Sequence, residues 1–216
     1  MGRRLSREGF IDLSDADLAW RRLELSALRT ALQRSSGVAL HTASRNAVTL
    51  AYAHWEGFVV STSRLLVEHV AGLGLVYGDL ADSYAAMCLA GRLTEAEAST
   101  RRIERHIDVV SAIRRVGEVA AFPSVERLIS GEGNLKSEKL RDIVARLNLD
   151  PRPFELHSVW LDSELLRRRN SIAHGQYGSA DLDFAEEALN TVAELMEQFR
   201  TAAQNAVVLE RFRRSD

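Results

Sequence analysis

The chain has 216 residues with 3 prolines and 13 glycines, which is enough for one domain with a substantial core and leaves little material for linkers. Its formal net charge is −2, which excludes nucleic-acid binding driven by a strong overall positive charge, so any such binding depends on local clusters of cations. Cys88 is the only cysteine in the sequence, which excludes an internal disulfide and a cysteine-rich zinc site.

The composition predicts an all-α protein, because aliphatic and charged helix-forming residues dominate and no sustained run of alternating β-branched residues occurs. The first four residues lead into polar residues and do not resemble a secretory signal. The most apolar stretch, residues 47–80, is interrupted by charged residues and does not have the pattern of a membrane span. We therefore expect a cytoplasmic protein with no membrane partner.

Two helices are predicted in the first third of the chain. Residues 1–13 are predicted to be a flexible tail, and the first helix is predicted to begin near Ser14, where acidic residues precede leucines at helical spacing. Arg21 falls among these leucines, where its stem would pack while its guanidinium reaches water. The second helix is predicted from His41 or Ala43 to about Val70, and its middle is apolar nearly all round, as in a central buried helix.

Two polar residues interrupt this buried helix. His54 is most simply a core polar group with a partner. Glu56 suggests a longer-range contact, because a buried carboxylate on one helix and a buried guanidinium on another are natural partners. We hypothesise that Glu56 pairs with or orients Arg169.

Shorter helices are predicted in the middle of the chain. One covers about residues 79–90, and the capping-box pattern Thr94-Glu95-Ala96-Glu97 predicts the start of another that continues through Arg115. The arginines of that helix cannot all share one face, so a solvated surface is the default interpretation and an RNA-binding patch the alternative. These arginines are Arg101, Arg102, Arg105, Arg114 and Arg115.

Three more helices are predicted before the C-terminus. A short one has Ser137 as its N-cap and ends near Leu147, a second spans residues 154–174 with Gly175 as its stop, and the last runs over about residues 181–209. Asp183 and Glu186 are predicted to form a capping box for the last helix. Residues 14–209 are thus predicted to be one helical domain, followed by a disordered basic tail at 210–216.

The strongest candidate for a functional site is the run RRRNSIAHG at residues 167–175. On a helix, Arg169 falls within the apolar arc, where a solvated arginine would not normally lie. Asn170 and His174 are four residues apart and therefore neighbours on one face. Histidine is the side chain best suited to moving protons near neutral pH, and an arginine beside it can hold a phosphate at two points.

The same run also has a purely structural interpretation. The arginines would then coat a solvated face, and His174 would cap the helix C-terminus. The position of Arg169 argues against this interpretation, because a buried guanidinium needs partners.

The segment RRNSIAHG resembles the signature of the HEPN superfamily of ribonucleases: an arginine, usually followed by a polar residue, and a histidine separated from that arginine by four to six residues. Arg169, Asn170 and His174 match it residue by residue. Arg168 also fits the spacing, and Arg169 is preferred because Asn170 follows it directly. The segments AYAHWEGF, NLKSEKL and RRNSIAHG occur in an order and spacing similar to the RiboL-PSP-HEPN family, so the resemblance covers about residues 20–202.

This resemblance implies a HEPN-like helical bundle with two long antiparallel helices, commonly a homodimer in which two copies of the motif face each other across a shared cleft. It further implies a metal-independent endoribonuclease, often a toxin or an anti-phage defence effector, with Arg169, Asn170 and His174 as catalytic residues. Glu56 is predicted to support them. We accordingly expect an RNA substrate, a homodimer, an antitoxin or defence-system partner, and neither a metal nor another cofactor.

In such an enzyme His174 would act as general base or acid on the ribose 2′-hydroxyl or the leaving 5′-oxygen, and Arg169 would stabilise charge on the scissile phosphate. The alternative is a non-catalytic HEPN-like dimeric module that binds RNA, a nucleotide or a protein partner, and a third interpretation is a plain all-α scaffold. Related toxins that are silenced by nucleotidylation carry a tyrosine two residues after the histidine. This chain has Gln176 there and Tyr177 one position later.

Overall fold

The structure, a computed structural model, describes residues 4–98, 103–131, 134–176 and 180–214. Within these ranges it is all-α, as the composition predicted, with isolated backbone bridges in place of strands. The helices are α1 (Arg7–Gln33), α2 (Gly37–Gly72), α3 (Asp82–Ala98), α4 (Ile103–Ile113), α5 (Val125–Leu128), α6 (Ser137–Arg146), α7 (Arg152–Glu155), α8 (Ser158–Trp160), α9 (Arg167–Ala173) and α10 (Leu182–Val208).

Helices α1 and α2 pack antiparallel. The Ser61 hydroxyl on α2 donates to Asp17 on α1, and the His69 ring further along α2 lies 2.9 Å from the carbonyl oxygen of Leu5, which precedes α1. Later positions of α2 thus contact earlier positions of the N-terminal segment. This is the pair of long antiparallel helices that a HEPN-like bundle requires.

Helix α10 runs antiparallel to α1 and therefore parallel to α2. Arg200 of α10 forms an ion pair with Asp15 of α1 at 3.0 Å, and Asn190 of α10 accepts a hydrogen bond from Arg29 of α1. The last helix thus closes a three-helix unit in which α2 packs against both of the others.

Helix α2 is the central buried helix that its apolar sequence predicted. Trp55 and Phe58 are fully buried, and both make edge-to-face contacts with Phe199 of α10, with ring centroids 6.3 and 6.5 Å apart. Aromatic pairs of this kind favour one fixed geometry in addition to burying a large apolar area. The contact with α10 therefore fixes one side of α2.

The predicted flexible tail at residues 1–13 is wrong for the part of it that the structure describes. Helix α1 begins at Arg7, and the Ser6 side chain caps it by accepting a hydrogen bond from the Gly9 amide at 3.0 Å. Phe10 is fully buried and lies against His69 of α2. The burial of one aromatic ring extends the helix by about two turns beyond the predicted start.

The predicted disordered tail at residues 210–216 is wrong for residues 210–214. Phe212 is buried, and its carbonyl accepts a hydrogen bond from the Ala81 amide at 2.8 Å. The Arg214 amide donates to the carbonyl of Asp79 at 2.9 Å. The buried ring of Phe212 and these two backbone hydrogen bonds therefore hold the segment 210–214 against the bundle. Its basic residues had suggested that it would be disordered.

The capping box predicted at Thr94 is also wrong. Thr94 lies inside α3, where its hydroxyl bonds back to the carbonyl of Ala90 at 3.0 Å. The helix predicted from there through Arg115 instead begins, in the part that the structure describes, at Ile103. Arg101 and Arg102 lie outside the described residues.

Two predicted N-caps also differ from the structure. Ser137 is the first residue of α6 instead of its cap, and Asp162 from a distant helix binds its amide. Helix α10 is capped by Asp181, whose carboxylate accepts from the Phe184 amide at 2.8 Å, in place of the box predicted at Asp183 and Glu186.

The guanidinium of Arg21 is buried, contrary to the prediction that it would reach water. Arg21 is 9% exposed, its Nε lies 2.9 Å from Asp17, and its Nη1 donates to the carbonyl of His54 at 3.2 Å. Gly57 makes room for it, because a Cβ at Gly57 would lie 2.9 Å from Nη1 of Arg21. The ion pair thus depends on a glycine within the central helix.

We predict that Gly57→Ala lowers the free energy of unfolding although alanine is the better helix former. The overpacking cost, about 1–3 kcal/mol, outweighs the gain in helix propensity, about 1 kcal/mol. Gly91→Ala in α3 is the matched control, since a Cβ there meets no atom within 4 Å, and it is expected to stabilise the protein. Urea denaturation followed by circular dichroism measures both changes. Equal stability of the two variants would contradict the prediction.

Candidate functional site

The candidate run lies at the end of a helical segment, residues 158–173, that is not a uniform α-helix. Between α8 and α9 the backbone widens into a π-helical turn at Leu161–Leu166, a feature that is frequent at functional sites. Asp162 in this turn accepts hydrogen bonds from the amide and the hydroxyl of Ser137, at 2.8 and 2.6 Å. The single helix predicted over 154–174 is therefore interrupted, and the widened turn joins the segment to α6.

Gly175 ends the segment, as predicted. It has a φ of 74°, its amide bonds to the carbonyl of Ile172, and the Gln176 amide bonds to the carbonyl of Ser171, both at 3.0 Å. This is the Schellman arrangement, which favours glycine at the left-handed position. His174 is the exposed residue just before this turn.

Arg45 of α2 holds the same end of the segment from outside. Its Nη2 donates to the carbonyl of Ile172 at 3.5 Å, and its Nη1 donates to the carbonyl of Gln176. Carbonyls at a helix C-terminus lack partners within the helix and favour cations. Arg45 therefore fixes the turn that carries His174.

The guanidinium of Arg169 is half-buried and held on one side. Its Nη1 donates to the side-chain oxygens of Asn134 at 3.1 Å and Asn170 at 2.9 Å. Its central carbon lies 4.9 Å from the ring centroid of Tyr52, a cation–π contact. In the described part of the chain its Nε and Nη2 have no hydrogen-bond acceptor, so two donor groups remain for an anion.

Arg168 points elsewhere. Its Nε lies 3.1 Å from the Glu164 carboxylate, and its guanidinium stacks 4.0 Å from the ring centroid of Phe184. Of the two arginines that fit the motif spacing, Arg169 is the one gathered with Asn170. Which arginine contacts a phosphate stays a prediction.

Glu56 does not form the direct ion pair with Arg169 that the sequence had suggested. Tyr52, one turn earlier on α2, lies between them: its ring contacts the guanidinium, and its hydroxyl donates to Glu56 at 3.3 Å. The same hydroxyl accepts from the Leu135 amide at 2.6 Å. Glu56 therefore reaches Arg169 only through the tyrosine, and its supporting role remains a prediction.

The surroundings keep Tyr52 protonated. Burial raises the pKa of its phenol, and the nearby Glu56 carboxylate raises that pKa further, while the Leu135 amide and Arg169 oppose the shift. A neutral phenol can donate to Glu56 and accept from Leu135 at the same time. Tyr52 thus links α2, the segment before α6 and the candidate run.

Sequence reasoning missed the roles of Tyr52, Asn134 and Arg45. The first two lie in the segments AYAHWEGF and NLKSEKL, which had been noted for their order and spacing only. The structure brings both segments to Arg169. Arg45 contacts Ile172, more than 120 positions away in the chain, so no local sequence pattern predicted this contact.

No group of three or more His, Cys, Asp or Glu side chains among the described residues is arranged to hold a metal ion. None of the helices over those same ranges is long and apolar enough to cross a membrane. Tyr177 lies outside the described residues.

The all-α bundle with two long antiparallel helices has the architecture expected of a HEPN-like domain. The chain matches the family model described as HEPN_MAE_28990-like HEPN over residues 10–212, and it therefore belongs to the HEPN superfamily. The predicted superfamily is confirmed, although the matching model is the MAE_28990-like one and the sequence motifs had suggested the RiboL-PSP one. Comparisons with curated proteins and with solved structures gave no match.

We predict that Tyr52→Phe destabilises the protein. Loss of the hydroxyl leaves the amide of the buried Leu135 without an acceptor, which costs about 1–3 kcal/mol. Urea denaturation measures the change. Tyr77→Phe is the matched control, since the Tyr77 hydroxyl accepts only a long bond, 3.5 Å, from the exposed Ala121 amide. A Tyr52→Phe protein as stable as the Tyr77→Phe protein would show that the Leu135 contact does not matter.

Proposed function

We propose that this protein is a metal-independent endoribonuclease that cleaves RNA through the neighbouring 2′-hydroxyl. The observation that carries the proposal is the pairing of a positioned cation with an exposed histidine. Arg169 is held by Asn134, Asn170 and Tyr52, and two of its donor groups bind no acceptor among the described residues. His174 is exposed at the end of the same helix. HEPN domains include ribonucleases and nucleotide-binding modules, so the family supports this proposal without deciding it.

In the proposed reaction a neutral histidine removes the proton from the 2′-hydroxyl, and the resulting oxygen attacks the adjacent phosphorus. Arg169 stabilises the charge that develops on the non-bridging phosphate oxygens. The bond to the 5′-oxygen breaks, and a protonated general acid returns a proton to that oxygen. The products are a 2′,3′-cyclic phosphate and a 5′-hydroxyl.

Two proton-transfer groups are needed if base and acid are separate. We propose that His174 supplies one and that His174 of a second copy supplies the other, in a homodimer whose motifs face one shared cleft. Asn170 lies one helical turn before His174, and the Asn170 carbonyl accepts from the His174 amide at 3.0 Å. Asn170 therefore connects the phosphate-binding and proton-transfer groups.

We further propose that the ribonuclease acts as a toxin or as an anti-phage defence effector. A chain that cuts RNA and is restrained by an antitoxin or a defence-system partner in the cytoplasm fits the resemblance found in the sequence. RNA is the expected substrate, and we propose no metal or cofactor, because the attacking group is supplied by the RNA itself.

One observation favours the alternative of a non-catalytic module. The His174 side chain makes no hydrogen bond within the described ranges, whereas a general base is commonly oriented by a further group. In a binding module, Arg169 and Asn134 would hold an anionic ligand and His174 would only line its edge. Cleavage assays separate the two functions.

We predict that His174→Ala reduces RNA cleavage in excess chelator about 10²–10⁴-fold, the usual contribution of a general acid or base. The measurement is incubation of purified protein with a mixed RNA pool, followed by analysis of the new ends for 2′,3′-cyclic phosphates. His106→Ala is the matched control, because His106 is also an exposed histidine and lies on α4, outside the candidate run. Cleavage of DNA at the same rate, or full activity of the His174→Ala protein, would contradict the mechanism.

A second variant tests how Arg169 is positioned. We expect Asn134→Ala to lower the cleavage rate about tenfold or more, since a misplaced reacting group is costly, while the melting temperature changes little because Asn134 is only half-buried. Asn205→Ala, an exposed asparagine on α10, is the control. A wild-type kcat in the Asn134→Ala protein would show that Asn134 does not position Arg169 for cleavage.

A further inference from the structure

Helix α4 carries an apolar stripe that the bundle does not cover. Ile103, Ile107 and Val110 are 65%, 54% and 47% exposed, and at helical spacing they lie within an arc of about 60°. Isolated exposed apolar residues are ordinary, whereas three aligned on one helix form a contiguous apolar surface. We call these three residues the α4 stripe.

The opposite face of α4 is the one that meets the rest of the protein. Ala112 is buried there, and Arg105 forms an ion pair with Glu95 of α3 at 2.9 Å. Helix α4 packs chiefly on α3, so these two helices form a hairpin with one apolar side turned outward. The stripe therefore points away from the hairpin partner.

The charges at the two ends of the stripe are of opposite sign. Glu104 lies at its N-terminal end and Arg114 at its C-terminal end. Neither has an ion-pair partner among the described residues, whereas the neighbouring Arg105 and Arg115 are paired within the chain. Two charges without an ion-pair partner in the described ranges thus flank the uncovered surface.

We propose that the α4 stripe binds the α4 stripe of a second copy of this chain in an antiparallel pair. A two-fold axis between Ile107 and Val110 places each Ile107 opposite Val110 of the other copy. Glu104 then lies within one residue's rise, about 1.5 Å along the axis, of Arg114 of the other copy. The symmetry repeats this pair, so Glu104 and Arg114 of each chain both gain a partner of opposite charge.

This contact is distinct from a dimer in which two motifs face one another. The α3–α4 hairpin joins the bundle beyond the end of α2, where the Gly78 amide donates to the carbonyl of Val116 at 2.8 Å. Tyr52, which contacts Arg169, lies about 20 residues earlier on α2, a rise of about 30 Å. The α4 contact therefore joins copies without using the candidate site, and the proposal does not rest on ribonuclease activity.

Sedimentation velocity of the full chain over a concentration series tests the apolar part of the proposal. Ile107→Glu is expected to weaken self-association about tenfold or more, since it places two like charges at the centre of the pair. Should the wild-type chain also dimerise through its motif, the loss appears at the step from dimer to tetramer. Leu23→Glu, a 72% exposed leucine on α1, is the control and is expected to leave the mass unchanged. An Ile107→Glu protein with the wild-type mass at every concentration overturns the proposal.

Charge exchange tests the antiparallel geometry. Glu104→Arg and Arg114→Glu are each expected to weaken the association about tenfold, because each brings like charges together. The double variant restores it to near the wild-type value, because exchanging both charges in both copies regenerates the same pairs. Restoration is specific to a self-pair, since a different partner protein would not exchange its own charges. A double variant as weak as either single variant overturns the proposal.

Discussion

The half-buried guanidinium of Arg169 is the constraint on which the candidate site depends. A cation away from bulk water needs acceptors and a polarisable surface, and no single segment of the chain supplies them. Asn170 comes from the same helix, Asn134 from the segment before α6, and Tyr52 from the central helix α2. Three parts of the chain must therefore meet correctly before the arginine has a defined position.

Helix α2 makes that meeting possible because it is fixed independently of the site. Its aromatic residues pack edge-to-face against Phe199 of α10. On the side of α1, the buried Arg21 donates to the carbonyl of His54 beside Gly57. From this support, Tyr52 reaches Arg169 and Arg45 reaches the carbonyls at the end of the candidate run. The core and the site thus share one helix, so we expect damage to its packing to reach the site as well.

The widened turn at Leu161–Leu166 separates what helical periodicity predicts about the candidate run from what it cannot predict. A uniform wheel at about 100° per residue correctly turned Arg169 partly away from solvent and placed Asn170 one turn before His174. It did not reveal the π-helical turn, which coincides with the contact between Asp162 and Ser137 in α6. It also treated Arg168 and Arg169 as near equivalents. In the structure Arg168 contacts Glu164 and Phe184, so only Arg169 lies with Asn134, Asn170 and Tyr52.

The sequence by itself determined the all-α class, the buried central helix and the stop at Gly175, and it predicted Arg169, Asn170 and His174 as candidate site residues. Each of these follows from composition, from spacing within one helix or from a contiguous run of residues. Only the tertiary structure decided that Tyr52 stands between Glu56 and Arg169, that Asn134 and Arg45 belong to the site, and that both chain ends dock through Phe10 and Phe212. The physical reason is that these contacts join residues far apart in the chain. Such a contact does not change the spacing of apolar residues within either segment, so the sequence pattern of neither segment reveals it.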